Sequence, residues 1–339
     1  MSVAINGTDG ITFNDGSLQA SAPVGKNRII NGDMKIDQRN SGSVTTPGNN
    51  VYTLDRWNAG LSQASKYSVQ QVVDAPSGFY NSIKATVLAT VSLGATDYFM
   101  LKHKIEGYNV ADLNFGTANP ETITLSFWVK SSVTGTFGGG IQNSSEARGY
   151  AFNYTISSAN TWEYKSVTLT ADTTGTWDKT NGTGLWLNLA LGVGTTYSKS
   201  TGSWGAGPVL SATGATNLLA TGSATIQFTG VQLEVGTTAT PFENLQYGQQ
   251  YALCQRYYQT ILDCNQSYVN TGQHVGGRLQ FNTEMRANPT ITSVALESAN
   301  VNNSYTYHKQ RTNSTGYYHS AAGAGNYFWY ADFTMNSEL

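Results

Sequence analysis

A chain of 339 residues with a formal net charge of −2 and only 12% charged side chains has too little clustered Lys and Arg to grip a phosphate backbone, so nucleic acid is set aside as a partner. The length suits two domains plus a small extra segment, and 36 glycines with 12% aromatic residues mark many short strands and tight turns in place of long helices. No apolar run nears the roughly 20 residues that span a bilayer, which argues against membrane insertion, and the first ten residues lack the basic start and apolar stretch of a secretion signal, so the chain is expected to be made and kept in the cytosol.

The leader, residues 1–25, contains "INGTDGITFNDGSLQASAP". Its Asn6-Gly7, Asp9-Gly10 and Asp15-Gly16 signals sit around Ile5, Ile11, Phe13 and Leu18, the pattern of short strands joined by tight turns. About 20 such residues cannot bury a core alone, so the segment is either a trimerising or attachment element that persists by intertwining, or a flexible leader.

From Lys26 onward "VYTLDRW", "TITLSFWVKSS", "WEYKSVTLTAD", "GLWLNLALGVG" and "ATIQFTGVQLEVG" alternate and are bounded by Gly, Asn, Asp or Pro. Ile123, Leu125, Phe127 and Val129 share one face, opposite Thr122, Thr124, Ser126 and Trp128; Leu185, Leu187 and Leu189 likewise oppose Trp186, Asn188 and Ala190. One apolar face per strand, with no helical period between, predicts an all-β chain whose centre, residues 26–247, is an antiparallel β-sandwich of jelly-roll type. In "GVQLEVGTTATPFE", Val231, Leu233 and Val235 are expected inside and Gln232 and Glu234 outside, and Thr240-Pro241 ends the ladder because proline lacks an N–H. "NLQYGQQYALCQRYYQTIL" admits a short helix before a strand through Tyr257 and Tyr258, and residues 248–339 read as a smaller C-terminal β head. Cys254 and Cys264 are expected as thiols in a reducing compartment.

No nucleophile elbow, zinc-protease helix, phosphate loop or dinucleotide fingerprint occurs, and the histidines His103, His274, His308 and His319 are scattered off zinc spacing. No metal or cofactor is expected, and no oxygen-ligand loop for calcium is visible. Polysaccharide hydrolysis needs two carboxylates about 5 to 10 Å apart; Asp172, Asp178 and Glu163 are present, without a linear pattern that brings any two together. Asp55-Arg56-Trp57 reads either as a ligand clamp or as a charge pair beside an indole that fixes a strand start together with Arg39, and the second reading is favoured.

"NRIINGDMKIDQRNSG", "YTLDRW", "TLSFWVKSSVTGT", "NTWEYKSVTL", "TGVQLEVGTTATPFE" and "LCQRYY", in this order from about Lys26 to Tyr258, resemble bacteriophage tail-fibre and related virion structural proteins with a carbohydrate-binding-module-like jelly roll. The leader "DGITFNDGSLQASA" is similar to repeats upstream of such domains, and "MRANPTIT" looks like the head that follows them. The resemblance implies a homotrimeric, non-enzymatic receptor-binding fibre on the virion, joined to other tail proteins through its N-terminus. It would be made in the host cytoplasm and directed at host-surface polysaccharide or lipopolysaccharide. The short leader departs from a long fibre, so a short fibre, a baseplate unit or a capsid decoration protein stays open, as does a depolymerase.

Sugars are held by aromatic faces and by amide, carboxylate and guanidinium side chains. The aromatics crowd the end of this chain. Tyr305 and Tyr307 share a strand face in "YTYH"; Tyr327 and Trp329 share one in "NYFWY", opposite Phe328 and Tyr330. Tyr305, Tyr307, His308, Arg311, Tyr317, Tyr318 and His319 are the candidate glycan contacts, with Asn302, Asn303 and Asn313 between them; the alternative for each aromatic is core or subunit contact.

Overall fold

The computed structural model describes residues 25–299 and 306–339, with the backbone of three leader strands. Phe13, Asn302, Asn303 and Tyr305 therefore lie outside the described residues. The leader strands β1 (Ala4–Asn6), β2 (Gly10–Thr12) and β3 (Leu18–Gln19) form one antiparallel sheet. The chain divides into two compact units, Met1–Leu245 and Gln246–Leu339.

The first unit is a β-sandwich. Its strands are β4 (Tyr52–Leu54), β5 (Trp57–Leu61), β6 (Tyr67–Val72), β7 (Ser82–Val87), β8 (Tyr98–Glu106), β9 (Ile123–Ser131) and β10 (Gly135–Gln142). There follow β11 (Arg148–Ile156), β12 (Glu163–Leu169), β13 (Thr183–Val193), β14 (Ser198–Lys199), β15 (Trp204–Ala206), β16 (Ser211–Ala212) and β17 (Thr225–Val235). One sheet runs β15-β11-β10-β13-β8-β5-β4 and the other β12-β9-β17-β7-β6, with antiparallel pairing throughout both, and a small β14-β16 pair stands beside them. The sandwich forms because alternation puts one oily row of each strand inside: Ile123, Leu125, Phe127 and Val129 meet Leu185, Leu187, Leu189, Phe137 and Phe228 in a single core. Phe127 meets Tyr154 and Phe228 edge to face, the arrangement that ring quadrupoles favour.

The simple inside/outside alternation fails on the central strands. Gln232 and Glu234, expected outside, are buried, and Val235, expected inside, is exposed. The cause is the segment after β17. Glu234 accepts from the Thr240 amide (2.9 Å) and hydroxyl (2.6 Å), while Gln232 accepts from the Glu243 amide and donates to the Thr240 carbonyl. Thr240-Pro241 thus leaves the ladder and folds back over the strand, covering its polar face with matched hydrogen bonds, while Val235 lies at the strand end beyond the core. Thr124, Ser126, Asn188 and Ala190 are buried on their outward faces as well.

The Asp55-Arg56-Trp57 group is a latch. The Trp57 indole donates to the Asn31 carbonyl at 3.0 Å, and Asn31 also ties Ile36 and the Asp55 carbonyl. The Asp55 carboxylate accepts from both the amide and side chain of Gln38. Arg56, with φ at 69°, turns β4 into β5 and donates to the Lys104 carbonyl. His103 lies buried beneath it against Trp57, and burial, then the Arg56 charge, keep its imidazole neutral far below its usual range.

The second unit opens with α1 (Tyr247–Gln255), where Gln246 and Gln249 form a capping box. Then come β18 (Tyr258–Val269), β19 (His274–Gln280), β20 (Thr290–Ala299), β21 (Thr306–His308), β22 (Ser314–Ser320) and β23 (Gly325–Asn336). Sheets β18-β23-β20 and β19-β22-β21 share a core of Leu279, Phe281, Tyr317, Tyr327, Trp329, Phe333 and Met335. Cys254 is buried in the helix and Cys264 is exposed on β18; both are free thiols.

Candidate functional site

Strand parity sorts the C-terminal candidates. In β22 the side chains of Tyr317 and His319 point into the core: Tyr317 is 2% exposed, donates to Asp263 at 2.8 Å and packs on Trp329 and Phe333. His319 is 1% exposed, bonded to the Tyr327 hydroxyl and set edge-on to Trp329. These two are withdrawn as glycan contacts, because a surface ligand cannot reach a ring sealed between two sheets. Tyr307 is half-buried, its hydroxyl on Ser293 and its ring on Phe333; burial raises its pKa above the usual phenol range.

Tyr318 faces outward, its ring between the imidazoles of His274 (4.8 Å) and His308 (5.8 Å). Two residues earlier on the same face, Gly316 pairs with Arg278 on one side and His308 on the other. A β-carbon at Gly316 would stand 2.8 Å from the His308 ring, so the glycine lets that ring lie across the strand. Gly277, Arg278, His308, Lys309, Arg311, Ser314 and Gly316 line a groove of about 400 Å³ there.

A second concavity, which sequence reading missed, lies on the outer face of the seven-stranded sandwich sheet. On that face Asn58 on β5 pairs with Lys102 on β8, which pairs with Asn188 on β13, and Lys104 pairs with Trp186 in the next row; Lys102 and Trp186 line the cleft. The Lys102 and Lys104 ammonium groups each sit 4.9 Å from the Trp186 ring centre. Lys102 also donates to Asn50 at 3.0 Å. Burial first, then the Lys104 charge, push the Lys102 amine down to about 8, against a counteracting pull from Glu146. The walls are Asn49, Tyr98, Tyr197, Glu146, Pro208 and Leu210, around about 190 Å³. The strap that carries Pro208 and Leu210 is pinned by the Val209 amide on Gln142, and it lies so close that a side chain at Gly140 would meet the Val209 carbonyl at 2.2 Å.

Beneath the surface next to the cleft, Asn58 and Asn188 are at most 1% exposed, and among the described residues both amide atoms of each lack a protein partner, as do Gln142 Nε2, the Trp186 indole N–H and the Ser211 hydroxyl. Buried polar atoms in native proteins are nearly always paired, and atoms enclosed in this way take ordered water as their partner. The signal in the sequence was the run Lys102, Lys104 against Trp186, Asn188: polar and aromatic residues on the non-core side of two neighbouring strands.

A third concavity, the aromatic trough of Phe79, Trp128, Tyr164 and Phe242 on the other sheet, is roomier at about 660 Å³. Its polar rim is already committed, since Thr240 donates twice to Glu234 and the Pro241 carbonyl accepts from Lys26. The acidic residues considered for hydrolysis are committed too. Asp172 is held by two bonds from Arg148, Asp178 by the Thr180 turn, and Glu163 by Lys165 and the Ser157 and Ser158 amides, which hold its carboxyl below the usual range. Among the described residues no group of three or more His, Cys, Asp or Glu could hold a metal ion.

No family model and no curated protein sequence matches the chain. Solved structures with similarity include the enzymatically active domain of bacteriophage CBA120 tailspike protein 4, at 13% identity and a TM-score of 0.31, covering 57% of this chain. The chain spans only 21% of that tailspike structure. A structure of CBM4 is matched at 14% identity and a TM-score of 0.32, over 61% of this chain and 98% of that one. The CBM22-1–GH10 modules of Clostridium thermocellum xylanase 10B, complexed with xylohexaose, match at 13% identity and 0.27, over 53% and 26%.

Proposed function

We propose that the protein is a non-enzymatic glycan-binding adhesin of the bacteriophage tail-fibre type. In this reading it is carried on the virion, joined to other tail proteins through residues 1–25, and directed at host-surface polysaccharide or lipopolysaccharide. The observation that carries the glycan reading is the sandwich cleft: the Trp186 ring with the Lys102 and Lys104 ammonium groups beside it, walled by Asn49, Asn50, Tyr98 and Tyr197. A sugar ring offers C–H faces to an indole and hydroxyls that both donate and accept, which suits the Asn49 and Asn50 amides on the wall. The fibre assignment draws on the sequence motifs.

Two features support the finer points. Glu146 is the one carboxylate lining the cleft, whereas glycoside hydrolysis uses a pair, which favours binding over cleavage. The outer face of β18-β23-β20 exposes Leu262, Tyr268, Val294, Leu296 and Tyr330, an apolar surface of the kind that marks contact between subunits and that suits a homotrimer. The test of the reading is a glycan microarray probed with the wild type and with Trp186→Ala. Loss of at least about tenfold in binding by the variant, at an unchanged melting temperature, is expected. Equal binding by both, or release of reducing ends from the polysaccharide, would overturn it.

A further inference from the structure

We propose that the groove on β19-β22-β21 is a second and separate binding site, one that takes an anionic saccharide, with a carboxylate or phosphate on the sugar. This deepens the glycan-binding reading and rests on it.

The first ground is charge. Gln246–Leu339 contains five Lys and Arg side chains, and three of them, Arg278, Lys309 and Arg311, line this one groove. None of the residues lining it is Asp or Glu, and none of the three cations makes an ion pair among the described residues. The other two arginines are placed elsewhere: Arg286 donates to the Ser337 and Glu338 carbonyls, and the Arg256 carbonyl is taken by Arg286 and Ser337 at the chain end. A protein with net charge −2 and few charged residues has gathered like charges around a concavity, which costs self-repulsion unless an anion enters.

The second ground is shape. Gly316 puts no side chain of its own between Arg278 and His308, and Arg278 is steadied by its bond to Ser314 at 2.9 Å. A guanidinium so held presents its remaining N–H groups as a fork that matches a carboxylate or phosphate. Beside the floor, the outward Tyr318 with His274 and His308 offers aromatic faces and ring nitrogens. Charge alone would suit any anion; the aromatic wall next to it selects one that carries a sugar ring.

The experiment is a calorimetric titration of the full-length protein with four probes: a glucuronate-terminated oligosaccharide, its glucose-terminated neutral counterpart, a glucose 6-phosphate-terminated oligosaccharide, and inorganic phosphate. At least one acidic oligosaccharide should bind at least about tenfold tighter than the neutral one, and the Arg278→Gln/Arg311→Gln variant should lose that preference while keeping any binding that depends on Trp186. Raising salt should weaken the acidic ligand and leave the neutral one unmoved. The uronate and phosphate arms tell the two anion types apart. The proposal is overturned if the neutral sugar binds the wild type as well as the acidic ones, if the variant keeps the preference, or if inorganic phosphate binds as tightly as the saccharides. If no saccharide binds the wild type, the glycan reading itself fails with it; if only the Trp186-dependent binding is found, that reading stands and this site falls.

Discussion

Neighbouring tyrosines on β22 should answer mutation in opposite ways. Tyr317 is sealed between the sheets, against Trp329 at 5.4 Å and Phe333 at 5.0 Å, and its hydroxyl gives 2.8 Å to Asp263. Removing a buried aromatic costs about 3–5 kcal/mol. Tyr317→Phe keeps the ring and loses only the hydroxyl, so it should cost about 1.5–3 kcal/mol, the contribution of the bond to the Asp263 carboxylate. Tyr318 faces outward, and Tyr318→Ala should stay within about 0.5 kcal/mol of the wild type. Hydrogen exchange followed by mass spectrometry on residues 314–336 reads this locally, since a loss of about 4 kcal/mol multiplies the open population by nearly a thousand. Protection should collapse in Tyr317→Ala, fall partway in Tyr317→Phe and persist in Tyr318→Ala. Retained protection in Tyr317→Ala, or collapse in Tyr318→Ala, would refute the strand parity on which both the core and the groove are built.

The cleft lysine gives a pH signature. Lys102 is protonated in both folded and unfolded chains below about pH 8; between about 8 and its ordinary 10.5 the unfolded chain holds the proton more tightly, so wild-type stability should gain with rising pH there. Lys102→Met lacks that gain, so its stability advantage in urea melts should be largest at pH 6.5 and shrink by pH 10; a difference independent of pH would contradict the buried-amine assignment. The apolar face of β18-β23-β20 should hold the assembly together, so Leu262→Glu with Val294→Glu should turn a trimer into a monomer by light scattering at micromolar concentration. A wild type that is already monomeric would remove the trimer.

Much of the fold could be read directly from residue order. The rows Ile123, Leu125, Phe127, Val129 and Leu185, Leu187, Leu189 are buried as alternation requires, because a half-buried strand writes its inner face into every second residue. The outer faces could not be read that way. Gln232 and Glu234 are polar and yet buried, because Thr240 and Glu243 supply their partners from beyond the strand end, a tertiary event with no local mark. The sandwich cleft is hidden in the same way: the sequence sets Trp186 and Asn188 opposite the leucine row, and only the strap at Val209 and the neighbouring strand cover that face. In the C-terminal unit the density of rings points to β22, but density carries no direction. Parity alone divides Tyr317 and His319 from Tyr318, and it needed the pairing with β19 and β21 to say which side was the interior.

The most direct measurement is an NMR titration of the full chain, its indole nitrogens labelled, with the oligosaccharide that binds best. Seven tryptophans report. The Trp186 N–H, on a ring that lines the cleft, should shift most and in proportion to occupancy, while Trp57, locked on Asn31, should stay still. Saturating sugar that leaves the Trp186 resonance in place would contradict the account.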